Sequence, residues 1–403
     1  MKHILHKYVA FVRLPHVARL LAVALLARMP IGMVGFAMMM YLRESLGNFA
    51  LAGAAAGIHF VSMAIAAPIQ GRIIDRHGAR IPLFVTGTVQ PLALIGVLLA
   101  AHYHLPFATI GACAAVAGAF ASPITTLTRT MWRHRFDSED DRRTAFALDA
   151  VAIEINFTVG PAIIAALLAT FSAMTAFAFA ITVVIFAVTV FIASGVTKLL
   201  KQVAGAERHL LGPLTEWRLV LLFVATFGTA MAFGVLEVGY PAYGTALAAP
   251  AIAGILLAVN SIGSAVGGAL YGGVHFKAPI ERQYATILAF MSLPLFLHMA
   301  MWPPLPFAVV AFFAGALIAP SITAQSVLVS RFAPAKYATE AFTWSSTFIV
   351  SGLGAGMALG GTLVETTGLP SAFLLAGTSA ACMSLLVLLA LPVGAPVEAR
   401  AGD

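Results

Sequence analysis

Long runs without charged residues dominate the pattern of the chain. Residues 81–128 contain no Asp, Glu, Lys or Arg, and residues 283–330 form a second such run, each of 48 positions. A helix needs ~20 apolar residues to cross the hydrocarbon core of a bilayer, so each run has room for two helices. Proline-containing turn signals at 102–106 and 302–306 divide the two runs. The pattern predicts twelve transmembrane helices, near residues 17–42, 49–70, 82–101, 106–133, 145–169, 172–196, 218–245, 250–274, 284–301, 305–330, 339–364 and 370–392.

The composition narrows the class of protein further. The 403 residues are 61% hydrophobic and only 10% charged, whereas a soluble domain carries about 25% charged residues. A free soluble enzyme, a disordered chain and a nucleic-acid-binding protein are therefore excluded, despite the net charge of +7. Cys113 and Cys382 fall within predicted spans and have no metal-site spacing. We expect an all-α integral membrane protein with no metal site.

Basic residues indicate the orientation of the spans. If the N-terminus is cytoplasmic, the inner segments hold nearly all of the bases, and the outer loops hold Arg43 alone. This asymmetry follows the positive-inside rule. The first apolar stretch is too long for a cleaved signal and is expected to remain as a span. Both termini are predicted to be cytoplasmic, in the inner membrane of a bacterium.

The two halves of the chain resemble each other. Arg135-Phe136 and Gly160 recur at an offset of 196 residues as Arg331-Phe332 and Gly356. A duplicated six-helix unit is a recurring plan of secondary transporters, with the substrate held near the midplane between the halves. The predicted organisation is an N-terminal six-helix bundle (1–197), a cytoplasmic linker (198–217) and a C-terminal six-helix bundle (218–403).

The loop after the second span carries a motif. Residues 71–80 read Gly-Arg-Ile-Ile-Asp-Arg-His-Gly-Ala-Arg, which resembles the G-x-x-x-D-R-x-G-x-R signature of the major facilitator superfamily, at the place where that family has it. The span count, the two halves and the linker extend this resemblance over the whole chain. The resemblance implies a secondary transporter of twelve helices that works by alternating access and needs no cofactor beyond an ion gradient.

The residue types of this motif can form the contacts of a gate between helices. Asp75 can interact with the positive N-terminus of another helix, and Arg76 and Arg80 can reach carboxylates or C-terminal carbonyls. Gly78 permits a tight return, and Gly71 is the first residue of the same motif. In the family, such contacts hold the inner gate shut. The alternative is that the bases only fix the loop on the inside of the membrane.

A second motif bears on the direction of transport. Gly160-Pro161 in the fifth span is similar to the antiporter motif of the efflux branch of the superfamily. Ile164-Ala165 stands where that motif has a Gly pair, and the early Arg of drug antiporters is missing from the fourth span. The match therefore favours export without establishing it.

Ionisable residues inside predicted spans are candidate coupling sites, because a charge at membrane depth is costly. Residue counts place Arg28 and Glu154 near the midplane, and Arg129 and Asp149 nearer the cytoplasmic face. We therefore predict two pairs, Arg28 with Glu154 and Arg129 with Asp149. Glu154 is the first candidate for the proton carrier and Asp149 the second, while static bracing of the bundle is the alternative for each pair.

Polar and small residues in other spans are candidates for substrate contact or for helix packing. Small residues recur every four positions in span eight (Ser264, Gly268, Gly272) and in span eleven (Gly352, Gly356, Gly360), which predicts close helix contacts. The candidate substrate contacts are Thr126, Asn156, Glu237, Asn260, Gln325 and Trp344.

These observations together predict a proton-coupled exporter of a small organic molecule, such as a drug-like compound, a sugar or a metabolite. No Walker loop or nucleophile elbow is present, so an enzyme is not expected. A complete pathway within one chain predicts a functional monomer in the lipid bilayer, with no nucleic acid as a partner. The alternatives are a symporter or facilitator that imports a solute, a flippase-like protein for lysolipids, and a non-transporting scaffold or sensor.

Overall fold

The computed structural model describes residues 11–14, 16–136, 139–195, 212–273, 277–334 and 338–391. Regular structure in these ranges is helical throughout. The α-helices are Val17–Arg28 (α1), Pro30–Leu46 (α2), Phe49–His77 (α3), Arg80–His102 (α4), Phe107–Ala119 (α5), Ile124–Arg135 (α6), Glu139–Thr170 (α7), Ala173–Ala193 (α8), Trp217–Ala246 (α9), Ala251–Gly273 (α10), Ile280–Leu297 (α11), Pro304–Ala316 (α12), Ile318–Phe332 (α13), Ala338–Thr366 (α14) and Leu369–Ala390 (α15). Short 3₁₀ turns cover Gly212–Thr215 and His298–Ala300.

These helices confirm the predicted membrane fold. Eleven segments of the described chain are long and apolar enough to cross a membrane. The fifth predicted span corresponds to α7, whose apolar part Ile155–Thr170 is shorter. Pairs of helices form single spans in three places: α1 with α2, α5 with α6, and α12 with α13. The chain is therefore an all-helical membrane protein, consistent with twelve spans.

Spans four and ten are interrupted at matching positions. The first helix of span four ends at Ala119 and that of span ten at Ala316, and each interruption lies next to a proline, Pro123 or Pro320. Proline removes a backbone donor and clashes with the preceding turn. The recurrence of this break in both halves agrees with the internal repeat in the sequence.

Side chains from neighbouring helices satisfy the backbone groups that the break in span four leaves free. The amide of Gln70 donates to the carbonyl oxygen of Ala119 at 2.7 Å, and the backbone N–H of Ser122 donates to Oε1 of Gln90 at 3.2 Å. The Ser122 hydroxyl donates to Oγ1 of Thr86 at 3.0 Å. Hydrocarbon offers no such partners, so a broken helix inside a membrane needs them from the protein.

Contacts divide the chain into two compact units. One contains residues 1–47 and 65–206, and the other contains residues 48–64 and 207–403. The first part of α3 thus belongs to the second unit, where the backbone N–H of Phe49 donates to Oε2 of Glu365 at 3.0 Å. A carboxylate in this position compensates the positive end of the helix. Most of the predicted linker, 198–211, lies outside the described residues.

The small residues of span eleven make the close helix contact that was predicted for them, and the structure identifies span seven as the partner. A methyl group added at Gly352 or Gly356 would collide with the carbonyl oxygen of Phe227 or Met231 on α9. In span eight the predicted Gly268 lies close to Ala319 on α13, whereas nothing lies within 4 Å of a methyl group at Gly272. Gly263 and Gly267, each one residue before a predicted position, approach the backbone of α12 more closely. Four-residue spacing identifies a helix face, but two adjacent faces of α10 are both rich in small residues. The spacing alone therefore did not select the face that packs most closely.

The tight contact between α9 and α14 predicts a clear difference between two alanine variants. Gly356→Ala places a methyl group against the carbonyl of Met231, which forces a backbone shift and should destabilise the protein by about 1–3 kcal/mol. Gly272→Ala is the matched control, because nothing lies within 4 Å of the added methyl group. Thermal unfolding of the purified variants should show a lower Tm for the first and an unchanged or higher Tm for the second. Equal Tm values would contradict the close contact.

Candidate functional site

Arg28 and Asp149 form a buried ion pair in the first unit. Nη1 of Arg28 donates to Oδ1 of Asp149 at 2.6 Å, and Nη2 donates to Oδ2 at 3.1 Å. The exposed fractions of the two side chains are 0% and 2%. Two parallel hydrogen bonds between a guanidinium and a carboxylate fix their orientation as well as their distance. The pair joins α1 to α7, which are parts of spans one and five.

Neighbouring groups on α6 complete this site. Nε1 of Trp132 donates to Oδ1 of Asp149 at 3.0 Å, and Nη2 of Arg28 also donates to the carbonyl oxygen of Thr125 at 3.3 Å. The Trp132 side chain is fully buried. Nε of Arg28 is buried too and has no hydrogen-bond partner within the described ranges. The carboxylate is thus held by at least three N–H donors, while one donor of Arg28 remains open.

The structure corrects the predicted partner of Arg28. Equal residue counts from the start of each span pointed to Glu154, whereas the guanidinium lies on Asp149, five residues earlier in α7. An arginine side chain reaches further than one helical turn of ~5.4 Å, so backbone depth alone does not select its partner. The side chains of Arg129 and Glu154 lie outside the described residues, and their predicted roles stay predictions.

Spans one and five meet backbone to backbone close to the ion pair. A methyl group at Gly160 would lie 2.9 Å from the carbonyl carbon of Gly32 on α2. The amide of Asn156 is buried and donates to the carbonyl oxygen of Leu25 at 3.2 Å. Gly160, part of the antiporter-like pair, therefore permits a close helix contact next to Arg28. Asn156, a predicted substrate contact, hydrogen-bonds α7 to α1.

The motif after span two forms the short return to span three. α3 ends at His77 and α4 begins at Arg80, and Gly78 between them has φ +80°, a conformation that favours glycine. The backbone N–H of Gly78 donates to the carbonyl oxygen of Ile74 at 2.8 Å, and Arg80 is exposed. Gly71 has open space beside it. The side chains of Asp75 and Arg76 lie outside the described residues, so the contacts predicted for the gate stay a prediction.

The other predicted substrate contacts fall into two groups. Asn260 donates to the carbonyl oxygen of Ala311 at 3.0 Å, and Gln325 donates to the Ser345 hydroxyl at 2.7 Å, both in buried positions between helices. Glu237 and Trp344 are half-buried, and Thr126 is exposed. The first group connects helices to each other, and the second group retains accessible surface that a substrate could contact.

Sequence reasoning missed His298. Its side chain is fully buried at the end of span nine, with Nε2 3.4 Å from the Tyr240 hydroxyl and Nδ1 2.6 Å from the carbonyl oxygen of Pro294. Tyr240 is also fully buried. The signal was present in the sequence, because His298 stands inside the uncharged run 283–330. A titratable side chain that is fully buried in a membrane protein is a candidate functional group.

The chemistry that the Arg28–Asp149 site offers is that of a buried acid held against a buried base. Within the described ranges, no three His, Cys, Asp or Glu side chains are grouped as metal ligands. A buried carboxylate that exchanges a proton for a guanidinium partner can change the charge of a site without any covalent step. The Arg28–Asp149 pair has the geometry for such an exchange.

Comparisons with known proteins agree with this architecture. A family model described as Major Facilitator Superfamily matches residues 20–299. The fold is similar to that of the nucleoside transporter NupG, with 14% identity, a TM-score of 0.71 and coverage of 92% of this chain and 98% of that one. It is also similar to the peptide transporter POT, with 13% identity, a TM-score of 0.70 and coverage of 92% of each chain. No curated protein sequence matches the chain. The chain belongs to the major facilitator superfamily and is a transporter of the secondary kind.

Proposed function

We propose that this transporter exports a small organic molecule in exchange for protons, by rocker-switch alternating access. The observation that carries the proposal is the fully buried pair of Arg28 and Asp149. Replacing such a pair by apolar side chains is often neutral or stabilising, so its presence in a membrane span calls for a functional reason. Proton binding and release by one carboxylate provides that reason.

The coupling step follows from the donors around Asp149. In the ionised state, Asp149 accepts hydrogen bonds from Arg28 and Trp132. A proton on the carboxylate removes the ionic attraction and frees the Arg28 guanidinium for another acceptor. Nε of Arg28 is buried and has no partner in the described ranges, so it is available as a donor to that new acceptor. The contacts of Asp149 make it the carrier in this proposal, with Glu154 as a second acid on the same helix.

Other parts of the proposal have separate support. Gly160 lies at the crossing of spans one and five, and its resemblance to the antiporter motif supports export. The proton gradient supplies the energy, so no cofactor is required, and the chain is proposed to act as a monomer in a bacterial inner membrane. Nucleosides and peptides, which the names of the structural neighbours mention, belong among the candidate substrates.

A ligand panel tests the substrate class. Purified protein is heated with nucleosides, peptides, sugars, amino acids, organic cations or lysolipids, at about pH 6 and about pH 8. A ligand at 100 times its Kd stabilises the folded state by about 2.7 kcal/mol, so a true substrate should raise the Tm clearly. We expect stabilisation by a soluble organic molecule that differs between the two pH values. Stabilisation by lysolipids alone would instead support the hypothesis of a flippase-like protein.

Neutralisation of the ion pair tests the coupling step. Asp149→Asn leaves a buried Arg28 without its counter-charge and should destabilise the protein by about 3–5 kcal/mol. The double variant Arg28→Gln with Asp149→Asn removes both charges and should recover most of that stability. We expect the double variant to bind the ligand found in the panel at both pH values, without the pH dependence of the wild type.

Transport assays in proteoliposomes complete this test. The double variant should equilibrate the ligand but not concentrate it when a proton gradient is imposed. Gradient-driven accumulation equal to that of the wild type would show that the pair only braces the bundle.

Labelling from one side of the membrane tests the orientation. In a background without Cys113 and Cys382, Tyr103→Cys lies between α4 and α5, and Lys277→Cys lies just before α11; both positions are exposed. With cytoplasmic termini, an impermeant maleimide should label the first variant in intact cells and the second only after permeabilisation. The reverse result would invert the proposed topology.

A further inference from the structure

A groove opens between α4 and α8 in the first unit. Arg80, Ile81 and Phe84 at the start of α4 line one side of it, and Ile192 near the end of α8 lines the other. The groove has a volume of about 500 Å³, within the range of ~300–1,000 Å³ that is typical of ligand sites. Arg80 is exposed, and the exposed fractions of Ile81 and Phe84 are 67% and 68%. The groove is therefore open along its side.

A close contact between the two helices sets the inner end of the groove. A methyl group added at Gly87 would collide with the side chain of Val188, so α4 and α8 touch there. Gly87 lies seven residues after Arg80, which corresponds to ~10 Å along a helix. The groove therefore covers about two turns at the start of α4, between this contact and the end of the helix.

The groove lies where a membrane helix meets the surface of the bilayer. α4 contains 23 residues and α8 contains 21, and ~20 residues cross the hydrocarbon core once. Arg80 is the first residue of α4, so the rim of the groove lies at the depth of the lipid head groups. The apolar lining below it lies at the depth of the acyl chains. In the proposed orientation, this rim belongs to the cytoplasmic side.

Positive charge is concentrated at the rim. Among the described residues, the Arg80 guanidinium forms no ion pair or hydrogen bond. Nη2 of Arg19 donates to the carbonyl oxygen of Ser194 at 3.2 Å, which brings a second guanidinium to the end of α8. Ala79 has no polar side chain to cap the start of α4, where the helix dipole is positive. None of the four described residues that line the groove is acidic.

The lining determines which molecule fits the groove. Below Arg80 it consists of the side chains of Ile81, Phe84 and Ile192, which offer a soluble organic molecule no polar partner. An acyl chain fills such a space with dispersion contacts. The amine of a zwitterionic head group would meet cations at the rim and no carboxylate of the lining. Basic pockets between membrane helices on the cytoplasmic side instead suit anionic head groups.

We propose that this groove binds an anionic phospholipid of the cytoplasmic leaflet, with its phosphate at Arg80 and one acyl chain between Phe84 and Ile192. The phosphate supplies charge-assisted hydrogen bonds to a guanidinium that has no other acceptor in the described part of the chain. The binding involves no proton transfer, so it is independent of the coupling proposed for Asp149. Only the choice of leaflet depends on the proposed orientation.

The effect of lipids on the stability of the purified full chain tests this inference. The protein in detergent is titrated with phosphatidylglycerol or with phosphatidylcholine of identical acyl chains, and the Tm is measured at each concentration. We expect phosphatidylglycerol to raise the Tm with saturation, at a concentration about fivefold lower than phosphatidylcholine requires. About 1 M salt in place of about 0.1 M should remove most of this difference, because it shortens the Debye length to ~3 Å.

Matched variants locate the head group and the acyl chain. Arg80→Gln should weaken phosphatidylglycerol binding about fivefold and leave phosphatidylcholine binding unchanged. Arg72→Gln is its control, since Arg72 is exposed but does not line the groove. Phe84→Ala should weaken the binding of both lipids about fivefold, whereas Leu92→Ala, at an exposed position two turns further along α4, should not. All four side chains are exposed, so the variants should keep the Tm of the wild type without lipid.

Three results would overturn the inference. Equal stabilisation by the two lipids would show that the groove does not recognise charge. An effect of Arg72→Gln as large as that of Arg80→Gln would show a general attraction to the basic surface. Stabilisation by glycerol phosphate, which has no acyl chain, would indicate a phosphate site instead of a lipid site. None of these results changes the outcome expected for Asp149→Asn, so the proposed coupling is tested separately.

Discussion

The cost of an unsatisfied polar group in hydrocarbon shapes this molecule at every level. It requires the backbone to be helical within the membrane. Where span four is broken, Gln70 and Gln90 supply the hydrogen bonds that water would supply elsewhere. The same cost explains why Arg28 lies on Asp149 with two hydrogen bonds and why Asn156 and Gln325 bond across helices. Each buried polar side chain of this kind therefore also positions a helix.

Features that follow from chain pattern alone could be predicted from the sequence. Uncharged runs and their central prolines gave the number and the approximate bounds of the spans, because spanning length is fixed by bilayer thickness. The glycine spacing of span eleven identified a face that makes a close helix contact, but the partner, span seven, is known only from the structure. The break in span four could have been inferred from Pro123, but the glutamines that repair it lie on other helices, and only the packing brings them there.

The candidate sites were harder to predict from the sequence than the spans, for physical reasons. The partner of Arg28 depends on the path of a long side chain, and residue counting selected Glu154 where the structure has Asp149, five residues earlier on the same helix. His298 shares no periodic pattern with its neighbours, since Tyr240, Asn260 and Phe307 come from three different spans. Such a cluster exists only after the helices have packed. Its only trace in the sequence is a titratable residue inside an uncharged run.

The bidentate pair between α1 and α7 has a consequence for the membrane voltage. An intact guanidinium–carboxylate pair has no net charge, so the electric field across the bilayer does almost no work when the pair moves. Protonation of Asp149 leaves Arg28 as a net positive charge, and moving one charge fully across 100 mV involves about 2.3 kcal/mol. Under the proposed coupling, the protonation state of this one carboxylate would set whether a movement of the Arg28–Asp149 pair through the membrane field is electrogenic.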